Sequence, residues 1–434
     1  MNPHTFESDL LKDASFRTLL VRFSREAMTW DEFLDAPLPG NLSATKTWNL
    51  LNELSRDIGV AVPIPDLDGN EYWYRRTYRL TDAASAIACA CKEDSHLHRT
   101  MTASAGHHFV VKARVTETIA AARLDGFNID NASAAALLHM DRAPQSAIER
   151  LITNAFSAMD RISDFTEEPF SRDLLLRLRG LLLDGVDPAA LTVSVPGMGL
   201  VSFDYEEGRI DESAEQQLAY ITAYANHETG DEYDRPLLRA LLIADVFRLY
   251  RPLGNVSSQI GRLAARLYEL KHDLPVVGFL PLSRAKLEWE QGLIAPPAVT
   301  YTPEEYKTLL ERSPGDLTAY QTLASELALL TLREVERYVD SWESRDAEMR
   351  EILHRDPLLN QRQRAILARA LRAPDAEFNI RYHKRNHNVA YTTARRDLLE
   401  LADKGYLSME QRGKAFIFVA APRLQNLIPN RVAE

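Results

Sequence analysis

The chain has 434 residues, 45% of them hydrophobic and 26% charged, and a net charge of −11. That length accommodates two or three domains with cores of their own, and the composition is that of an ordinary soluble globular protein. It excludes a membrane-spanning class, because no run approaches the ~18 apolar residues needed to cross a bilayer.

The first residues, MNPHTFESDLLKD, lack the basic-then-apolar pattern of a secretory signal, so a cytoplasmic location is expected. Cys89 and Cys91 lie two apart in a helical pattern, so their side chains diverge, and neither a disulfide nor a metal site is expected of them. The charge is unevenly spread. Residues 360–434 hold 14 Lys/Arg against 7 Asp/Glu, a net of +7, which leaves −18 on the rest of the chain. A basic C-terminal module on an acidic body points to a nucleic-acid partner for the module.

In chain order, residues 1–105 read as helices separated by turns, with loops at Pro37–Asn41 and Val62–Asn70 and an amphipathic helix from Leu42 to Ile58. Tyr72, Trp73, Tyr74 and Tyr78 follow the second loop and are read as core anchors rather than a stacking platform. A helix is expected from His107 toward Phe127, with Gly126 as its terminator, and amphipathic helices over 133–159 and 171–184. Leu191 to Ile210 changes character. β-Branched residues, a Pro-Gly-Met-Gly turn, then alternation through Val201, Phe203 and Tyr205 read as a hairpin.

The stretch Asp245–Leu267 reads as helix, loop, helix. Leu241, Ile243, Val246, Phe247 and Tyr250 form the first apolar face, and Ile260, Leu263, Ala264 and Leu267 the second. Pro252, Gly254 and Asn255 break the first helix, and Ser257 is the expected N-cap of the second. Beyond it, Leu317–Tyr338 forms one long helix and 341–356 a charged linker.

Residues 357–425 read as three helices (Leu358–Leu371, Ile380–Asn386, Ala390–Lys404) followed by two strands around Gln411-Arg412-Gly413-Lys414. That order is a winged helix-turn-helix. Thr392, Thr393, Arg395 and Arg396 stand early on the third helix, where such modules meet the major groove. Arg381, Lys384, Arg385, Arg412 and Lys414 are candidate phosphate contacts. Dimerisation or protein binding is the competing use of this module. His383 and His387 are four apart, but no carboxylate or thiol accompanies them, so no metal is expected. His227-Glu228 lacks the second His of a zinc hydrolase pattern, and there is no P-loop, dinucleotide fingerprint or nucleophile elbow.

From Arg251 to Arg262 the chain resembles, without a gap, the central motif of Fic (Fido) proteins, H-P-F-x-D/E-G-N-G-R-x-x-R. The resemblance covers roughly residues 28–424 and implies a mainly α fold. Its domains would be an N-terminal helical cap (1–105), a Fic helical core (106–340) with a small β-hairpin flap at 191–210, and the winged helix. In the family the His is a general base, the acidic residue holds Mg²⁺, and the glycine amides and two arginines bind the phosphates of ATP. The typical reaction is AMP transfer to a protein side chain.

Here Arg251 stands at the base position and cannot accept a proton. Asn255 stands at the metal carboxylate, Val256 and Ser258 at the glycines, and Gln259 at the first arginine. Only Pro252 and Arg262 match. The helix ending at Gly126 resembles the family's inhibitory helix, with Ala121 at its Ser/Thr and Asp125 at its glutamate. Asp125 would therefore either pair with Arg262 or simply end a helix at the surface.

Function is thus expected to be that of a non-catalytic, DNA-binding regulator, a homodimer without cofactors, whose partner is double-stranded DNA. Two alternatives stand beside it. One is an adenylyltransferase-like enzyme using ATP and Mg²⁺, with an anion held by Arg251, Asn255, Ser257, Ser258, Gln259 and Arg262 at a helix N-terminus. The other is an interaction module whose flap captures an extended segment of a protein partner.

Overall fold

The computed structural model describes residues 12–425 except 40–41, 66–68, 104–106, 131–132, 135–136, 139–142, 196–198, 202–211, 231–234, 300, 356–357, 373–375, 388 and 413–414. Phe203 and Tyr205 of the expected flap, and Gly413 and Lys414 of the expected wing turn, lie outside the described residues, as do the side chains of Arg385 and Arg412. The fold is mainly α, with three small antiparallel sheets among the described residues. No helix among the described residues is long and apolar enough to cross a membrane. The chain divides into two compact units, Met1–Val335 and Glu336–Glu434.

In the first unit, α1 (Ala14–Arg25), α2 (Trp30–Leu34) and α3 (Ala44–Asp57) each begin where a polar side chain accepts a free first-turn N–H. The caps are Asp13, Thr29 and Ser43, and Thr29 forms a reciprocal capping box with Glu32. Their apolar faces bury Phe23, Phe33 and Trp48, whose rings meet edge-on at 5.0–5.1 Å. Residues 62–65, expected as loop, instead belong to strand β1 (Val60–Pro65), paired antiparallel with β2 (Glu71–Tyr74). Val60, Val62 and Ile64 alternate inward, and that period of two outweighs the prolines at 63 and 65. Trp73 and Tyr74 are buried, as core anchors are, and Tyr72 is half-buried, but Tyr78, the first residue of the next helix, is 52% exposed and is not an anchor. Arg75 follows Trp73 and Tyr74 into the interior, donating to Asp316 (3.1 Å) and Thr318.

α4 (Tyr78–Cys91) buries Cys91 and exposes Cys89, and both are free thiols. After α5 (His96–Thr102) and α6 (His107–Leu124), Gly126 turns the chain at φ +89°. The helix expected over 133–159 is interrupted: residues 133–134 and 137–138 are helical, and after Pro144 the chain starts a new helix, α7 (Ala147–Arg161), capped by the Ser146 hydroxyl. Next come α8 (Arg172–Leu182), the hairpin β3 (Val193–Val195) and β4 (Gly199–Val201), and α9 (Glu212–Ala225).

Two helices form the centre: α10 (Pro236–Tyr250) and α11 (Ser257–Lys271), packed as an antiparallel pair. Gly261 permits their close approach, since a Cβ there would stand 2.6 Å from Phe247 Cβ and 2.8 Å from the Ala244 carbonyl. α12 (Leu282–Glu290) and α13 (Pro303–Arg312) lead to α14, Thr318–Arg355. Residues 341–355, expected as a linker, are therefore helical.

The second unit holds α15 (Gln361–Arg372), β5 (Phe378–Asn379), α16 (Ile380–His387), α17 (Tyr391–Asp403), β6 (Leu407–Arg412), β7 (Ala415–Ala420) and the short α18 (Pro422–Gln425). Its sheet order is β5-β7-β6. Leu367, Phe378, Leu398, Leu401, Leu407 and Phe418 close its core.

Candidate functional site

The loop between α10 and α11 is tight and closed. Arg251 ends α10 in the left-handed region (φ 50°, ψ 45°), a conformation that costs a non-glycine residue ~1–2 kcal/mol. Its N–H still reaches the Phe247 carbonyl at 3.1 Å, and its carbonyl accepts the N–H of Gly254, itself at φ +74°. Burial pushes the Arg251 guanidinium pKa down, with Asp125 opposing and Arg248 adding to the shift.

Every residue from Pro252 to Gly261 is buried. Ser257 is not the N-cap. Val256 occupies that position, and the Ser257 hydroxyl accepts the Leu253 N–H from behind the helix at 2.8 Å. The Asn255 amide donates to the Leu191 carbonyl at 2.8 Å, tying the loop to the residue two before β3. Ser258 is buried, and its Oγ has no hydrogen-bond partner among the described residues.

Of the two placements open to Asp125, the structure has the interior one. Asp125 is 2% exposed, and Arg262 grips its carboxylate with both terminal nitrogens while Gln259 Nε2 donates at 3.0 Å. One carboxylate thus binds two consecutive turns of α11 to the end of α6. Such a fork-to-fork arrangement is the strong form of a charge-assisted bond. It also occupies Arg262 and Gln259, the residues at the two arginine positions of the motif frame.

A second polar assembly was not anticipated. Asp245 accepts from Lys286 Nζ at 2.9 Å and from Arg248 Nε at 2.8 Å. Burial opposes ionisation of Asp245, but the Lys286 and Arg248 charges hold its carboxyl well below the usual range. The group borders a cavity of about 170 Å³ among α6, α10, α11, α12 and α14, to which Glu117, Arg266 and Glu269 also contribute. The only signal in the sequence was charged residues recurring on otherwise apolar helices, a pattern shared with any solvated face.

Comparisons with known proteins can be set beside this geometry. No protein-family model matches the chain, and no curated protein matches it. Its fold is similar to that of a Fic family protein. That solved structure, from Desulfovibrio desulfuricans G20, aligns over 80% of this chain and 98% of its own, with 15% identity and a TM-score of 0.47.

In the second unit, the candidate nucleic-acid residues with described side chains lie on two helices. Arg395 and Arg396 are exposed on the first half of α17, with Thr392 exposed and Thr393 half-buried beside them. Arg381 and Lys384 are exposed on α16. Arg396 makes only a long contact to Glu400, at 3.8 Å. The opposite face of α17 carries Asp397, fully buried, which accepts from Arg362 Nε at 2.7 Å and Asn360 Nδ2 at 2.9 Å. His383 Nε2 lies 3.1 Å from the same carboxylate, so this histidine is engaged within the helical core. His387 packs edge-on against His383 at 4.7 Å. Among the described residues no group of three or more metal-ligating side chains forms.

Proposed function

We propose that the protein is a Fic-like helical body without transfer chemistry, joined to a winged helix that binds double-stranded DNA. The observation that carries this reading is the two-sided character of α17. Arg395 and Arg396 project from one face while Asp397 anchors the other to α15 and α16. A helix held rigidly from behind, with arginines exposed on its outer face, is what reading a groove requires. The strand pair β6–β7, following α17, supports its assignment as the wing.

The absence of transfer chemistry is supported by the motif loop. Arg251 cannot serve as a base. A magnesium nucleotide does not fit the residues present: Asn255 is neutral and turned to Leu191, and Asp125 engages Arg262 and Gln259. Neither ATP nor Mg²⁺ therefore has a part in this reading, and no reaction step is assigned.

The test is binding of the full chain to mixed-sequence duplex DNA at low salt, followed by fluorescence anisotropy. The doubly substituted Arg395→Ala, Arg396→Ala protein should bind at least tenfold more weakly. Equal binding by wild type and variant, or none by either, contradicts the reading.

A further inference from the structure

The cavity beside α11 has about 170 Å³, roughly ten times the room one water needs. Leu241, Ala244, Trp289, Leu323 and Leu327 give it apolar walls. Its charges fall into two groups. At the level of Arg262, Asp245 is matched by Lys286 and Arg248, with exposed Glu290 beside them. Gly261 packs on Ala244 and Phe247, which fixes that level. Glu269 lies seven residues further along α11, ~10 Å away at the helical rise.

There the balance is reversed. Two carboxylates, Glu117 and Glu269, face Arg266, whose Nη1 reaches Glu269 Oε2 at 3.3 Å, and the other positive charge acting on Glu117, that of Arg262, is already gripped by Asp125. Glu117 receives the Ser283 N–H at the start of α12, at 2.8 Å, together with the Ser283 hydroxyl and the Arg284 N–H, and burial raises its pKa. Glu117 and Arg266 also line a second cavity of about 180 Å³.

We propose that this cavity is a binding site for a small organic cation, its ammonium group held between Glu117 and Glu269 and its apolar body against Leu241, Ala244 and Leu323. A buried carboxylate lacking a full counter-charge is costly and is relieved by a proton or by a cation. The Glu269 carboxyl fits that description. Burial raises its pKa to about 7, Arg266 opposes, and Glu117 adds to the rise. The charged groups acting on it are Arg266 on its own helix and Glu117 on α6; Arg114 and Cys91 act in turn on Arg266, and Arg262 acts on Glu117. Asp160 on α7 already pairs with Arg114. An ammonium ion entering the cavity replaces the proton, whereas a neutral guest of the same shape leaves the charge uncompensated. The proposal does not depend on DNA binding by the second unit.

The experiment is calorimetric titration of the full chain with 2-phenylethylamine and with 2-phenylethanol, its neutral analogue, between pH 6 and 8. The amine should bind about tenfold more weakly at pH 6 than at pH 8, because a proton must leave Glu269 first. The alcohol should bind at least tenfold more weakly than the amine at pH 8. Glu269→Gln should weaken the amine and flatten its pH dependence, and Glu117→Gln should weaken it and move the pH dependence to lower pH, because Glu117 helps to raise the Glu269 pKa. If neither variant folds, the wild-type pH dependence and the amine–alcohol comparison still decide. Equal binding of amine and alcohol, a pH-independent amine affinity, or equal thermal stabilisation by sodium or magnesium chloride overturns the proposal.

Discussion

Asp125 is the residue on which the first unit's charge pattern turns. It is buried, and the Arg262 side chain that grips it is 14% exposed, so removing either partner strands the other. Breaking such a pair costs ~3–5 kcal/mol, whereas replacing both partners by apolar residues costs much less. Asp125→Ala should therefore lower denaturant stability by ~3 kcal/mol, and adding Arg262→Met should restore part of the loss. A double variant as unstable as the sum of the singles would show that the pair is not coupled.

Titration adds a second prediction at this scale. Burial lowers the His272 pKa to about 4, with the charges of His227, Arg239 and Lys271 acting in the same direction. The unfolded chain then binds the extra proton between pH 6.5 and 4, and stability falls as pH drops through that window. Glu269 acts in the opposite sense. Its folded pKa of about 7 exceeds the ordinary value of 4.5, so its contribution is complete below about 4.5 and is lost as pH rises through 7. Thermal unfolding followed against pH should decline on both sides, and Glu269→Gln should flatten only the alkaline side. An unchanged alkaline limb in that variant would count against Glu269 as its source.

At the scale of elements, α17 depends on Asp397. Its carboxylate joins Arg362 and Asn360 at the start of α15 to His383 on α16, through bonds of 2.7–3.1 Å. Asp397→Ala should destabilise the second unit by ~3 kcal/mol. Hydrogen exchange should then show protection lost across 361–424 and retained across 236–271. Loss of protection in both segments would mean that the two units unfold together.

Elements with a clean helical period were legible in the sequence. The faces of α10, α11 and α17 follow directly from where Leu, Ile and Val recur. β1 was hidden because Pro63 and Pro65 read as loop, although every second residue from Val60 points inward. The 38-residue helix α14 was cut short because its charged second half resembles a linker, and only hydrogen bonding along the backbone distinguishes the two. In the site, the motif frame brought Asp125 and Arg262 to attention, since their roles are set by position along the chain. The frame left the burial of Asp125 open. Glu117, Glu269, Asp245 and Lys286 come together from four helices, and charged residues recurring on each look the same in the sequence as a solvated face.

For the whole molecule, the division of charge matters more than its total. Residues 360–434 carry +7 while the chain as a whole carries −11, so association with a polyanion has to run through the second unit. Five basic residues, Arg381, Lys384, Arg385, Arg412 and Lys414, are the proposed phosphate contacts. Each contact on duplex DNA releases about 0.9 counterion, so full engagement gives a slope of log K against log salt of about −4 to −5 per bound chain.

The most direct measurement is therefore the affinity of the intact protein for duplex DNA from 50 to 300 mM salt, by fluorescence anisotropy. The account predicts binding that weakens linearly on the log–log plot with that slope, and a slope about one unit shallower for Lys384→Ala. A flat plot, or no binding at the lowest salt, would contradict the claim that the second unit is a DNA-binding module.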